Sequence, residues 1–366
     1  MISRIRLFFC FGLLLLSSAR WSPAQEIVSG IFGFNKLTLV GSSDTFVSLP
    51  FARLADSSAL VSSTSSSNII QVQGTSNWTT NQFVYASGVQ SNTYYVRIES
   101  GALEGRYFNI ISNTTNTLTV DLNGGSLTGL VANNQISVIP HWTLAAVFGP
   151  DGNGVIPSTG TSIPTRKTEV YIPNFTISGI NISAGGYYLF SSGGSNTWRK
   201  TSGPATNAND DIIRPNSYFF IRHKGVTTNT TFVSLGDVLL TKAVIPLVVN
   251  ASSKQDNFIA MPRPLELSLN DSGLIASGAF VPSTGTSIPT RKDELYVYDN
   301  SLTNLQKSAG NPYYYLSTDS TWRKVGGTST NYATSNIFQP GAGYFIRKAA
   351  AVVAPVWTNS PTYTNN

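Results

Sequence analysis

The stretch Pro157-Ser-Thr-Gly-Thr-Ser-Ile-Pro-Thr-Arg-Lys167 returns unchanged at Pro282–Lys292, 125 positions further along the chain. Proline near both ends restricts the backbone, the central Gly160 or Gly285 permits a bend, and the hydroxyls can bond neighbouring amides. The string therefore reads as a rigid exposed loop with an Arg-Lys pair at its base. Working outward, Arg166-Lys167-Thr168-Glu169-Val170-Tyr171 matches Arg291-Lys292-Asp293-Glu294-Leu295-Tyr296. Tyr187-Tyr188-Leu189-Phe190 matches Tyr313-Tyr314-Tyr315-Leu316, and Thr197-Trp198-Arg199-Lys200 equals Thr321-Trp322-Arg323-Lys324. Pro215 through Phe220-Ile221-Arg222 matches Pro340 through Phe345-Ile346-Arg347, and Trp142 falls opposite Leu267. Further back, Asp44-Thr45-Phe46-Val47-Ser48-Leu49-Pro50 pairs with Asp256-Asn257-Phe258-Ile259-Ala260-Met261-Pro262 at an offset of 212. The jump in offset places an insertion of 87 residues inside the first copy.

The expected architecture is all-β: two tandem β-sandwich or barrel-like repeats, the first interrupted by a small inserted β domain. The boundaries are a signal peptide over 1–24, repeat 1 over 25–51 with 140–225, and the inserted domain over 52–139. Repeat 2 follows over 226–350, and a flexible tail over 351–366. Composition agrees, because charged residues are 11% of the chain while Ser, Thr, Asn and Gly separate short Val/Ile/Tyr/Phe runs. In the insertion, Tyr94, Val96 and Ile98 alternate with Tyr95, Arg97 and Glu99, and Leu118, Val120 and Leu122 with polar neighbours. Ile69–Gln73, Phe83–Ala86, Arg106–Ile111 and Gln135–Ile139 are further strand candidates. Thr143–Phe148 and Leu269–Ala276 could each form a helical turn or two.

Phe-Val-Ser-Leu-Pro after Asp44, Tyr94-Tyr95-Val96 with Gly101-Ala102-Leu103-Glu104-Gly105-Arg106-Tyr107-Phe108, and Trp-Arg-Lys before Pro-x-x-x-Tyr/Phe-Phe-Ile-Arg together resemble an uncharacterised family of exported bacterial β-repeat proteins. The resemblance spans nearly the whole chain after its first segment. It implies export and carries no catalytic or ligand residues.

Export is also readable from the N-terminus. Arg4 and Arg6 precede the apolar run Leu7–Leu16, and Ser22-Pro23-Ala24 supplies a cleavage site. The expected destination is extracellular, periplasmic or cell-surface. No later stretch approaches 18 continuous apolar residues, so no transmembrane segment is expected after cleavage. Cys10, the one cysteine, leaves with the signal. Of the formal net charge of +6, Arg4, Arg6 and Arg20 carry three, which leaves +3 with no basic stripe for nucleic acid.

Catalytic residues are hard to assemble. His141 and His223 are the two histidines and do not correspond between the repeats. With no cysteine in the exported chain, a zinc or redox site has few ligands, and no cofactor is expected. Glu169 and Glu294 recur in both copies, as do Asp44 and Asp256, which favours structural roles. Asp151-Gly152-Asn153-Gly154 has the oxygen-rich look of a calcium loop, but Ser162 stands where a bidentate Glu is needed.

Two readings stay open for the doubled loop. It is either a pair of recognition loops gaining avidity or a duplication that has not diverged. Two also stay open for the aromatics, namely sugar stacking or core packing. The candidate ligand-binding set is Tyr187, Tyr188, Trp198, Arg199, Tyr313, Tyr314, Trp322 and Arg323, with Arg166, Lys167, Arg291 and Lys292. The expected function is a non-enzymatic protein of the cell surface or matrix that binds or assembles, with polysaccharide or another envelope component as partner. The alternative is a carbohydrate-active enzyme with its pocket between the inserted domain and repeat 1. The oligomeric state is not legible.

Overall fold

In the computed structural model, residues 30–363 except residue 75 are described; the expected signal peptide at 1–24 lies outside them. The fold is all-β, and the one α-helix among the described residues is the single turn and a half α1 (Leu144–Phe148). Thr143 starts it by accepting from the Ala146 amide at 3.2 Å, and Gly149, at φ 61°, ends it.

Strands β1 (Phe32–Leu39) and β2 (Asp44–Ser48) lead into six strands: β3 (Ser57–Ser66), β4 (Ile69–Val72), β5 (Tyr94–Ile98), β6 (Tyr107–Asn113), β7 (Thr117–Asp121) and β8 (Gln135–Pro140). These six close into a barrel in the order β3-β4-β7-β6-β5-β8. Alternation is the cause: Val61, Ile70, Val96, Ile98, Phe108, Ile110, Leu118, Val120, Ile136 and Val138 all join one buried cluster. Phe83–Ala86 is not the expected strand. Asn81 takes a left-handed turn at φ 58°, and the Phe83 amide donates to Asn113 Oδ1 at 3.0 Å. Phe83 then packs edge-on against Trp78 within the barrel core.

After the barrel come β9 (Trp142–Thr143), α1, β10 (Thr168–Pro173), β11 (Ala184–Ser192), β12 (Ser195–Lys200), β13 (Ile212–Ile213), β14 (Tyr218–His223) and β15 (Thr230–Asp237). Then follow β16 (Ala243–Pro246), β17 (Gln255–Ile259), β18 (Glu294–Val297), β19 (Tyr313–Leu316), β20 (Thr321–Lys324), β21 (Tyr344–Lys348) and β22 (Val356–Asn359). One five-stranded sheet runs β12-β11-β10-β14-β2 and another β20-β19-β18-β21-β17. Strands that match in sequence therefore hold matching places. We call the two sheets with their loops module 1 and module 2.

The ends of the modules differ from expectation. β15 pairs along its whole length with β1, so module 1 continues through Asp237 rather than stopping at 225. The expected flexible tail instead supplies β22, which pairs with β16 in the same way. Its Trp357 is fully buried and donates to the Ser272 carbonyl at 2.7 Å. Leu269–Ala276 forms turns, not helix.

The doubled loop owes its shape to bonds that recur in both copies. Ser158 Oγ accepts from the Lys167 amide at 3.0 Å, and Ser283 Oγ from the Lys292 amide at 3.0 Å. Thr165 and Thr290 hydroxyls donate to the carbonyls of Ser162 and Ser287, closing a 3₁₀ turn. A Cβ at Gly160 or Gly285 would meet those threonine hydroxyls at 2.5 or 2.7 Å.

The modules face each other reciprocally. The Asp44 amide donates to Asn304 O at 2.9 Å, and the Asp256 amide to Gly179 O at 2.9 Å. Gln306 N donates to Asp44 Oδ2 at 2.9 Å, and Asn181 N to Asp256 Oδ2 at 2.8 Å. Both donors sit in left-handed backbone, at φ 56° and 53°. Each aspartate also takes a forked arginine of its own sheet, Arg222 on Asp44 and Arg347 on Asp256. Between them lies an aromatic cluster in which Phe46 of one module stacks on Tyr298 of the other, ring centres 3.4 Å apart. A surface patch that contacts its own counterpart is the geometry of an isologous dimer, here within one chain.

Candidate functional site: a cleft between the barrel and the two modules

Most of the aromatic residues singled out from the sequence are not available to a ligand. Tyr188, Trp198 and Trp322 are at most 1% exposed, and Tyr313 and Tyr314 are also buried. Trp198 packs on Phe148 and Trp322 on Phe280 and Tyr315. The sheets thus point these rings inward, which corrects the sugar-stacking reading for them. Tyr187 is half-buried, with its hydroxyl on Asp211 Oδ2 at 3.0 Å. Burial and the Asp211 carboxylate push that phenol well above its usual range.

The basic candidates divide. Arg166 is buried, lies over the Tyr188 ring and bonds Thr161 O, Thr201 O and Glu169. Arg291 repeats this beside Tyr314 and Glu294. Arg199 lies over Phe190 at 3.8 Å, and Arg323 pairs with Asp319. Lys167 and Lys292 are exposed at the loop bases. The recurring Glu169 and Glu294 are each fixed by an Arg, a Lys and a Tyr. Asn153 of the calcium-like loop bonds Val147 and Val233 backbone instead of a cation. Among the described residues no three His, Cys, Asp or Glu side chains group as metal ligands.

A different set of residues comes together where the barrel meets both modules. The chain leaves β2 through Leu49-Pro50-Phe51-Ala52 and enters the barrel, and Ala52 is tied to Asp237 by two backbone bonds of 3.0 and 2.9 Å. Gly236 and Gly33 permit this crossing, since a Cβ at Gly236 would lie 2.3 Å from Ala52 O and one at Gly33 would strike the Phe51 ring. On the other side Gly105 of the barrel abuts the linker into module 2, where a Cβ would lie 2.3 Å from Lys242 O.

The cleft left at this seam is lined by Phe51, Tyr95, Arg97, Tyr107, Trp142 and Arg214, together with Asn216, Ser217, Leu239 and Val244. Its free space, counted out to open solvent, is about 640 Å³, and it is a narrow slot rather than a chamber. Tyr95 and Tyr107 meet edge to face at 5.4 Å, and Tyr95 leans on the His141 ring at 4.7 Å. Trp142 is held by donating to Phe51 O at 3.0 Å, with Arg53 above its ring.

The charges are unequal. Arg97 is paired with Glu99 at 2.9 Å, and Glu99 also accepts from Thr241. Arg214 is exposed; its guanidinium lies over Phe175 at 5.0 Å, and no carboxylate pairs with it among the described residues. Pro215 follows it, and Ser217 Oγ caps its carbonyl at 2.7 Å. Burial raises the Tyr95 and Tyr107 phenols, with Arg97 opposing at the first and Arg214 at the second. Burial, then the Arg214 charge, lowers His141 to about 3. Its Nε2 bonds Asn109 Oδ1 at 2.9 Å, and because that oxygen can only accept, Nε2 carries the proton. The site therefore offers neutral aromatic rings, phenol donors and a free cation, a combination suited to stacking and hydrogen bonding.

Sequence reasoning passed over these residues, yet a signal existed. Trp142 stands opposite Leu267 and Arg214 opposite Gln339, two departures from the repeat that both line the cleft beside the barrel. No helix of the described residues is long and apolar enough to cross a membrane. Comparison with protein-family models, with curated proteins and with solved structures finds no match for this chain.

Proposed function

We propose that this is an exported, non-enzymatic β protein of the cell surface or extracellular matrix that binds polysaccharide, with the seam cleft as its binding site. The observation that carries the reading is the wall of Tyr95, Tyr107 and Trp142 in a cleft to which barrel, module 1 and module 2 all contribute. Aromatic walls with polar tips stack on the apolar faces of sugar rings and bond their hydroxyls. A slot open along its rim suits a chain that runs past it.

The second reading, a carbohydrate-active enzyme with its pocket between barrel and module 1, is favoured by the position of the cleft. It needs two free carboxyl groups across the slot. Glu99 is engaged by Arg97 and Thr241, and Glu104 by the Lys242 amide and ammonium, which leaves Asp237, raised by burial, as one acid rather than a facing pair. Binding is thus the better supported function.

The test is retention of the purified protein on an array of glycans. Tyr107→Ala should weaken the retained signal without altering the circular dichroism of the β fold, and no released reducing sugar should accompany binding. Unchanged retention in Tyr107→Ala would remove the cleft from the reading, and sugar release would move it to the enzyme.

A further inference from the structure

Three hydrogen-bond donors in the cleft have no acceptor. The Tyr95 side chain is 5% exposed and lines the slot, yet its hydroxyl makes no hydrogen bond within the described residues. The neighbouring Tyr107 hydroxyl makes none either. Several other phenols of this chain find partners, Tyr94 on Asp56, Tyr171 on Glu169, Tyr187 on Asp211 and Tyr363 on Leu239 O, although the buried Tyr188 hydroxyl does not. The third donor is the Arg214 guanidinium, while the comparable arginines of both sheets, Arg222 and Arg347, are forked onto aspartates. Module 2 places Gln339 where module 1 has Arg214, and ties it to Glu266 and its own turn. A cation there is therefore no requirement of the fold.

Phenol donors that open into the slot without a protein acceptor, beside an exposed guanidinium without a carboxylate, describe the complement of an anionic, oxygen-rich group. Arg97 is paired with Glu99, and the nearby Asp237 carboxyl is raised by burial, so the positive charge of the slot sits on Arg214. Stepping from rim to floor, Arg214 lies at the exposed edge and Tyr95 at the buried one. Resting on the saccharide reading above, we infer that the cleft takes an acidic sugar residue, its carboxylate forked onto Arg214 and its ring oxygens accepting from Tyr95 and Tyr107. A sulfate ester presents the same anionic oxygens, and the experiment separates the two.

The full exported chain is titrated calorimetrically with three probes: a tetragalacturonate, a neutral galactose tetrasaccharide, and a sulfated galactose tetrasaccharide. Tetragalacturonate should bind at least about tenfold more tightly than the neutral probe, the yield of one charge-assisted pair. Arg214→Gln installs the residue that module 2 already tolerates and should bring the acidic and neutral probes together. Arg214→Lys should recover only part of the preference, because a point charge lacks the fork. Tighter binding of the sulfated probe would keep the anion and reassign its source. Equal binding of acidic and neutral probes, or an Arg214→Gln protein that keeps its preference, overturns the acidic ligand and leaves saccharide binding standing. No binding of any probe overturns both.

Discussion

Matching positions of the two modules carry opposite solutions to one buried polar site, and this allows an internally controlled prediction. In module 2, Asp293 and Lys348 are at most 1% exposed and form an ion pair. Asp293 also accepts from the amides of Val281 at 2.6 Å and Ala349 at 2.8 Å, and Lys348 donates to Ala279 O. In module 1 the corresponding residues are Thr168 and His223, bonded at 2.8 Å, with Thr230 relaying from the imidazole to Gly154 O. Gly154 and Ala279 match in sequence, so the same carbonyl is served by a hydroxyl in one module and by an ammonium in the other.

Asp293→Ala strands that ammonium and two amides. Breaking a fully buried pair costs about 3–5 kcal/mol. There is a ceiling, because a stranded ammonium can shed its proton, at about 4.6 kcal/mol for an ordinary lysine at pH 7. Thr168→Ala removes a neutral hydrogen bond and costs about 1–2 kcal/mol. Urea unfolding followed by tryptophan fluorescence reads both, since Trp198 lies in one core and Trp322 and Trp357 in the other. The Asp293→Ala penalty should also shrink between pH 7 and 9, as deprotonation becomes easier. Penalties within about 1 kcal/mol of each other, or an Asp293→Ala penalty indifferent to pH, would refute the reasoning.

Other expectations follow from the same geometry. Asp44→Asn and Asp256→Asn should destabilise equally, by about 2–3 kcal/mol each, because the forks and reciprocal amides are alike; unequal urea midpoints would show that the module contact is not symmetric in energy. Trp357→Ala should cost about 3–5 kcal/mol, and removing residues 351–366 should cost more, which calorimetry would detect as a lowered or split transition. Burial lowers both His141 and His223, so each is neutral in the fold and the unfolded chain takes up protons first. Their contribution is complete above pH about 6.5 and falls as the pH drops, down to about 3 for His141, by up to about 1.4 kcal/mol per unit and group. His141→Gln should flatten that slope when urea midpoints are measured from pH 7 to 4.5.

Much of the architecture was legible because strand pairing leaves a period-two record. The alternation around Tyr94–Ile98 and Leu118–Leu122 marks barrel strands, and the Tyr-Tyr, Trp-Arg-Lys and Phe-Ile-Arg segments mark the strands shared by the two sheets. Phe83–Ala86 misled because an apolar run at a turn has the composition of a strand, and Asn81 carries no period. The tail misled for another reason: Val356–Asn359 is too short and too polar at its flanks to announce a strand, and Trp357 sits opposite Ile245 of β16, far earlier in the chain. Tyr188, Trp198 and Trp322 stand out in the sequence because their segments recur in both copies. Whether an aromatic faces core or solvent depends on which side of the sheet is covered, and the strand itself does not record that.

The cleft was invisible for a deeper reason, and the same reason argues for its function. Phe51, Tyr95, Tyr107, Trp142 and Arg214 do not form one local motif; they meet because a barrel was closed between β2 and β9 and pressed against the linker into module 2. Residues needed to hold such a seam would be expected to satisfy one another, as Arg53 does with Asn92 and His141 O, and Glu104 with Lys242. Tyr95, Tyr107 and Arg214 do not. On the proposed reading, these three adjacent donors, which no protein acceptor meets, are the part of the seam that stability does not require and that a ligand would satisfy.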